Sequence, residues 1–261
     1  MSSRWASRPG YRGKASSPSV DRKPPKRPIR PVPAEGRRAA VSGSELLRRG
    51  LDRIGLQLTP PQRDALGIYL SELQRWAPQV NLTGLRSEGA IVREGFLRSL
   101  THRLAFEPTP TVHAIDIGSG AGFPGLVLKI GYPEINMVLL EPRRRRATFL
   151  RAIIRRLGLV GVRCIQARAE ELCANPEHQG RYDVAFARAV GPVPAMACLV
   201  EPLLRPGGRL ILQAGQEARD ALPSMRPLLT PMGIRVQIVD GPAPDTGYAP
   251  TCLLILEKTA R

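Results

Sequence analysis

From Ser44 onward the apolar positions recur at helical spacing. Residues 46, 47, 51 and 54 predict a helix over Ser44–Ile54. Thr59-Pro60-Pro61-Gln62 then reads as the start of a second helix. Threonine is suited to the N-cap, proline to the first helical position, and glutamine to the returning bond of a capping box. That helix should run to about Trp76, and after Asn81-Leu82-Thr83-Gly84 a third helical stretch covers about Ser87 to Ala105. Residues 42–108 are thus expected to form a helical extension. Beyond Val112 the period changes, and short apolar runs alternate with helical stretches. The predicted strands are 112–117, 135–140, 162–167, 182–187, 208–213, 234–239 and 251–257. This alternation predicts an α/β core over 109–261, a parallel sheet covered by helices on both faces. Pro206-Gly207-Gly208-Arg209 is expected to be a tight turn leading into the fifth strand.

The first strand runs into Ile115-Asp116-Ile117-Gly118-Ser119-Gly120-Ala121-Gly122-Phe123-Pro124-Gly125. Glycines at alternate positions between a strand and a helix let backbone N–H groups come close to a bound nucleotide-like ligand. A dinucleotide and S-adenosylmethionine both suit such a loop. The dinucleotide fingerprint places glycine at the first, third and sixth positions. Counted from Gly118, the sixth position here is Phe123, whereas the first, third and fifth are Gly118, Gly120 and Gly122. That spacing, with Asp116 two residues ahead, is the pattern of the Rossmann-like methyltransferases. Glu141 ends the second strand, where this architecture sets a carboxylate on ribose hydroxyls. A solvated turn residue is the other reading of Glu141 taken alone.

Composition adds a partner class. The formal charge is +17 over 261 residues, which points to a polyanion such as RNA. Of the 39 basic residues, 34 are arginine, a skew that GC-rich codon usage also produces. Residues 1–41 hold 11 Arg or Lys, seven prolines and two acids, with no apolar period. They are expected to form a disordered basic arm that binds phosphate or serves as a plain tail. The proline density argues against the amphipathic helix of a transit peptide. No run is long enough for a membrane span. Cys164, Cys173, Cys198 and Cys252 show no Cys-x-x-Cys pair, so no metal site is expected. Scattered cysteines suit small core positions in a reducing cytoplasm.

Several motifs together are more specific than the glycine loop. Asn81-Leu82-Thr83-Gly84-Leu85-Arg86, the 115–125 loop, the segment from Glu141 to Leu150, Arg168-Ala169-Glu170-Glu171-Leu172 and Ala187-Arg188-Ala189-Val190 occur in this order. Over roughly residues 44–257 the chain resembles the bacterial ribosomal RNA small subunit methyltransferase G family, also called glucose-inhibited division protein B. The resemblance implies a Rossmann-like class I methyltransferase fold with a seven-stranded mixed sheet and an N-terminal helical extension. It implies cytoplasmic methylation of guanine N7 in 16S ribosomal RNA, with S-adenosylmethionine as methyl donor. The substrate is then ribosomal RNA or a small-subunit particle. The family's cofactor contacts carry over to Gly118, Phe123, Ala169, Glu170 and Arg188, joining Asp116, Gly120, Gly122 and Glu141 from the loop reading.

The substrate side is less regular. Arg143 to Arg146 open a predicted helix, where cations face the positive end of the helix dipole. Phosphate contact by Arg145 and Arg146, where the family is also basic, is one reason for this placement, and Arg-rich codon usage is the other. The family's H-x-x-D-S in the third helix is replaced by Gly95-Phe96-Leu97-Arg98-Ser99, and its L-K-G by Gln213-Ala214-Gly215. Arg98 is therefore a further substrate-side candidate, adding a cation one helical turn from Gly95. Because these departures fall on positions expected to face substrate, two alternatives stay open. One is a paralogue acting on another RNA or a small molecule, the other a non-enzymatic RNA-binding protein on the same fold. No catalytic base is assigned, and a monomer is the default expectation.

Overall fold

The helix starts written in the sequence form as expected. In this computed structural model, which describes residues 41–188 and 191–259, Ser42 caps α1 (Gly43–Arg53) by accepting from Glu45 N. Thr59 caps α2 (Pro60–Trp76); Gln62 N reaches Thr59 Oγ1 at 3.4 Å while Gln62 Oε1 accepts from Thr59 N at 2.8 Å. Leu66, Tyr69, Leu70 and Leu73 lie on one stripe of α2 and are buried. Each such side chain contributes roughly 1.5–3 kcal/mol by leaving water. The basic arm expected over 1–41 lies, up to residue 40, outside the described residues.

The third helical stretch is continuous but irregular. α3 (Glu88–Ala90) passes into a π-helical segment, Ile91–Leu97, then α4 (Arg98–Leu100) and a 3-10 turn, Thr101–Ala105. π-helical turns within helices are frequent at functional sites. The wide turn itself buries Ile91, Val92, Gly95, Phe96 and Leu97, and a polar interior follows it directly: Arg98, Ser99, Thr101 and His102 are all buried.

The core contains β1 (His113–Ile117), α5 (Gly125–Gly131), β2 (Asn136–Leu140), α6 (Arg144–Arg156), β3 (Val162–Ile165) and α7 (Ala169–Cys173). These are followed by β4 (Tyr182–Ala187), α8 (Val193–Val200), β5 (Leu204–Ala214), α9 (Gln216–Asp220), α10 (Leu222–Leu229), β6 (Ile234–Gly241) and β7 (Thr251–Lys258). The sheet order is β3-β2-β1-β4-β5-β7-β6. Strands β3, β2, β1, β4 and β5 pair in parallel, and β7 enters antiparallel between β5 and β6. The sheet is therefore mixed, not parallel throughout.

Successive strand residues face opposite layers. Ala114, Met137, Leu139, Phe186 and Ile211 join one core with the N-terminal helices, whereas Ile115, Val138, Ala185 and Leu210 join the other with α8 and α10. The helical extension thus shares a continuous core with one sheet face. Pro206-Gly207-Gly208-Arg209 corrects the sequence expectation. It lies inside β5 as an irregularity opposite Tyr182 and Val184, not as a turn ahead of the strand. Gly207 takes a φ of 77°, and a Cβ on Gly208 would sit 2.9 Å from the Tyr182 carbonyl, so glycine lets the strand bulge without leaving the sheet.

Candidate functional site

The order reversal between β1 and β4 marks the crevice where open α/β sheets bind ligands, outside the carboxyl ends of the strands. The glycine loop occupies this position. Gly118, Gly120 and Gly122 adopt φ values of 71°, 57° and 103°, a region that costs little only for glycine. At Gly122 a side chain would also collide, because its Cβ would lie 2.5 Å from the Tyr69 hydroxyl. Tyr69, fully buried on α2, donates to the Ala121 carbonyl and so buttresses the loop from the helical extension. No sequence signal marked that role.

Two buried carboxylates anchor the loop. Glu141 Oε2 accepts from Gly120 N at 2.8 Å and Oε1 from Arg143 N at 2.9 Å. The second bond lies at the start of α6, where no side-chain cap is present and a carboxylate is favourable to the helix dipole. Asp116 Oδ2 accepts from Gly125 N at 3.1 Å, and Ser119 Oγ donates to the Asp116 carbonyl at 3.0 Å. Burial pushes the Asp116 carboxyl up to about 7, against the opposing Gly125 N–H. Its Oδ1 is buried with no partner among the described residues.

These observations test whether S-adenosylmethionine fits. A carboxylate has further lone pairs after one bond to each oxygen, so Glu141 retains acceptor capacity for ribose hydroxyls. The orphaned Asp116 oxygen is an acceptor awaiting a polar or cationic group. The loop holds its glycines where backbone can approach a ligand closely. The residues present fit the cofactor.

Beyond Glu141, Pro142, Arg143, Gln166, Ala167, Arg168 and Glu171 line a 490 Å³ cleft between the ends of β2 and β3. Ala169 opens α7 half-buried, Glu170 is exposed, and Glu171 is the carboxylate on the cleft, accepting from Arg168 N at 3.3 Å. The motif Arg168 to Leu172 was legible, but the choice between adjacent glutamates depends on helix phase. Phe123 also departs from the expected arrangement. Its ring is buried against Tyr69 and Phe96, with centroids 6.0 Å away in both cases, so the side chain faces the helical core.

On the other side of the crevice lies an 850 Å³ cleft lined by Arg98, Arg188, Gln213, Ala214, Arg219 and Ala249, among others. The structure therefore brings Arg98, Arg188 and Ala214 together, although they are distant in sequence. Arg188 Nη1 donates to the Glu94 carbonyl at 2.6 Å, and Arg98 Nε lies 2.7 Å from Glu94 Oε2. Gly95 does not belong to this cleft, contrary to its expected substrate-facing position. A Cβ there would sit 2.8 Å from the Phe123 ring, so glycine is needed for packing. Arg145 is exposed at the start of α6, while Arg146 grips the Asn81 carbonyl through Nε at 3.0 Å and Nη2 at 2.8 Å. That grip joins the Asn81-Leu82-Thr83-Gly84 segment to the first turn of α6, a link that sequence spacing did not suggest.

Among the described residues no helix is long and apolar enough to cross a membrane, and no cluster of His, Cys, Asp or Glu is arranged to hold a metal ion. Burial pushes the Cys164 and Cys173 thiols up to about 11, which keeps them protonated packing groups.

Comparison with known proteins places this geometry. The family model GidB, described as rRNA small subunit methyltransferase G, matches residues 62–241. A ribosomal RNA small subunit methyltransferase G of Roseiflexus sp. (strain RS-1) is 39% identical over 206 residues, covering 79% of this chain and 87% of the relative. Among solved structures, a structural-genomics protein of Corynebacterium glutamicum gives a TM-score of 0.53 at 21% identity, covering 83% of this chain and 97% of the other. A protein of Methanococcus maripaludis, whose description proposes an S-adenosyl-L-methionine-dependent methyltransferase, gives 0.50 at 14% identity, with 78% and 97% covered. At these identities the structural likeness establishes the fold alone. The family match, spanning both the helical extension from α2 and the sheet through β6, leads to one assignment: this chain belongs to the ribosomal RNA small subunit methyltransferase G family.

Proposed function

We propose that the chain transfers a methyl group from S-adenosylmethionine to N7 of a guanine in 16S ribosomal RNA, as a soluble cytoplasmic enzyme. The observation that carries this reading is the glycine loop pinned by Asp116 and Glu141 at the switch point of the sheet, with an arginine-bearing cleft at the carboxyl ends of β4 and β5. Bound in the loop, the cofactor supplies an electrophilic sulfonium methyl.

The protein's own task is then placement. Glu141 holds the loop and offers acceptors on the ribose side, and Asp116 offers a buried acceptor. Arg188 stands between the loop and the cleft. Guanine N7 has a lone pair and carries no proton, so attack needs alignment in place of a general base. His102 fits that division of labour: it is buried, bonded through Nδ1 to the Arg98 carbonyl at 3.0 Å, and burial lowers its pKa to about 4. Its ring is neutral structural packing. Exposed Arg145 and the arginines at the start of α6 supply phosphate contacts that add salt-dependent RNA affinity.

Nucleoside mass spectrometry of 16S ribosomal RNA tests this directly. A strain lacking the gene should lose one 7-methylguanosine, restored by the full-length chain. Unchanged 7-methylguanosine would contradict the proposal, and loss of a different modified nucleoside would favour the paralogue reading.

A further inference from the structure

The cleft at the carboxyl ends of β4 and β5 has a charge imbalance that the cofactor loop does not account for. Arg98 is 8% exposed and Arg188 is half-buried, and each guanidinium lies within the other's field. Glu94 stands between them, facing Arg98 with its carboxylate and Arg188 with its main-chain carbonyl. Asp116 is the other acid that Arg188 senses, but it shares a buried position with the glycine loop. Arg219, the third arginine on the cleft, is engaged by Asp240. Two poorly hydrated cations therefore share Glu94 as their contact on this side of the cleft. Desolvating a charge is costly unless an opposite charge replaces the lost water.

The donor inventory points the same way. A guanidinium presents N–H groups on every nitrogen in a planar fork that matches phosphate oxygens. Arg98 donates through Nη2 to the Ala249 carbonyl, 3.1 Å away, and Arg188 through Nη1 to the Glu94 carbonyl. Arg98 Nε lies 2.7 Å from Glu94 Oε2 but is buried with no hydrogen-bond partner among the described residues. On the same cleft the Gln213 Oε1 atom is buried without a partner among the described residues, an acceptor suited to the N–H edge of a base. The cleft, at 850 Å³, is large enough for a nucleotide. It opens toward β5 and β7, whereas Glu141 and the glycine loop lie over β1 and β2.

We propose that Arg98 is a specificity-determining contact of this chain for a phosphate group of the substrate nucleotide, at a subsite bordered by Arg188, which the family resemblance assigns to the cofactor. This rests on the methyltransferase reading for the identity of the nucleotide. Arg98 supplies, from the helical extension, the cation that the end of β5 lacks at Gln213-Ala214-Gly215.

Calorimetric binding of guanosine 5′-monophosphate and of guanosine to the full chain saturated with S-adenosylhomocysteine tests it. The monophosphate should bind about tenfold more tightly, as expected for a charge-assisted contact. Arg98→Gln should bring that ratio to near one, Arg98→Lys should retain part of it, and S-adenosylmethionine affinity should stay within about twofold in both. Glu94→Gln removes the balancing carboxylate while keeping the carbonyl that holds Arg188, and it should widen the ratio. This keeps the test decisive if Arg98→Gln fails to fold. A ratio that survives in folded Arg98→Gln, or does not widen in Glu94→Gln, overturns the subsite. So does loss of cofactor binding in Arg98→Gln with the ratio intact, which would assign the pair to the cofactor's carboxylate. If the wild type binds neither S-adenosylhomocysteine nor S-adenosylmethionine, the methyltransferase reading is what fails, and the phosphate ratio still judges the subsite.

Discussion

The two halves of the crevice are built by different means. Over β1 and β2, the cofactor half is made of backbone: three glycines at positive φ and two carboxylates that accept from N–H groups, all between Asp116 and Arg143. Over β4 and β5, the proposed substrate half is made of side chains drawn from α4, the end of β4, the end of β5 and the segment before β7. A backbone cradle depends on a few residues whose conformations nothing else adopts, so it tolerates little change. A cleft of side chains from distant segments can exchange one charged residue for another without altering the fold. This explains why the departures at Arg98 and Ala214 coexist with an intact glycine loop.

The largest expected effect breaks the cofactor half. Glu141→Ala strips the acceptor from both Gly120 N and Arg143 N, and each unpaired N–H costs about 1–3 kcal/mol. Calorimetry should show S-adenosylmethionine affinity falling about 100-fold or more, and thermal unfolding should move down. Binding within a few fold of wild type would mean that the loop does not need its carboxylate, and the contrast between the halves would lose its basis.

A smaller effect sharpens the comparison through pH. Asp116 has its carboxyl raised from 3.8 to about 7 by burial, so the folded state binds the proton more tightly than the unfolded state. Stability of the free protein contributed by this group is then full below about pH 4 and is lost as pH rises toward and past 7. Asp116→Asn removes that loss. At pH 8 the variant should exceed wild type by about 4 kcal/mol in denaturant unfolding, with the gap closing toward pH 4. A gap that is constant across pH would show that Asp116 is ionised and satisfied in the folded state.

The same contrast decides what could be read from sequence. The strands and the glycine loop were legible because their signals are local: short apolar runs, a capping box, and glycines within a few residues of one another. The insertion of β7 between β5 and β6 has no local signature, since it reflects which sheet edge remains to be paired. Phe123 was read as a cofactor contact and Gly95 as a substrate-facing gap. In the fold they pack on each other across the junction of loop and π-helical segment, which no spacing reveals. Arg98 and Arg188 were each visible as cations, but their shared dependence on Glu94 appears only when the helix lies against the end of β4. Local chemistry could be read, and the meeting of distant side chains could not.

The central claim is that the loop from Gly118 to Gly122 is a working S-adenosylmethionine site, and calorimetric titration of the cofactor into the wild type and Gly118→Asp tests it most directly. Gly118 has φ 71°, where an aspartate is strained and adds a charge beside the site. The expected result is micromolar binding to wild type and none measurable to a folded Gly118→Asp. Absence of binding to wild type, or equal binding to both proteins, would contradict the account.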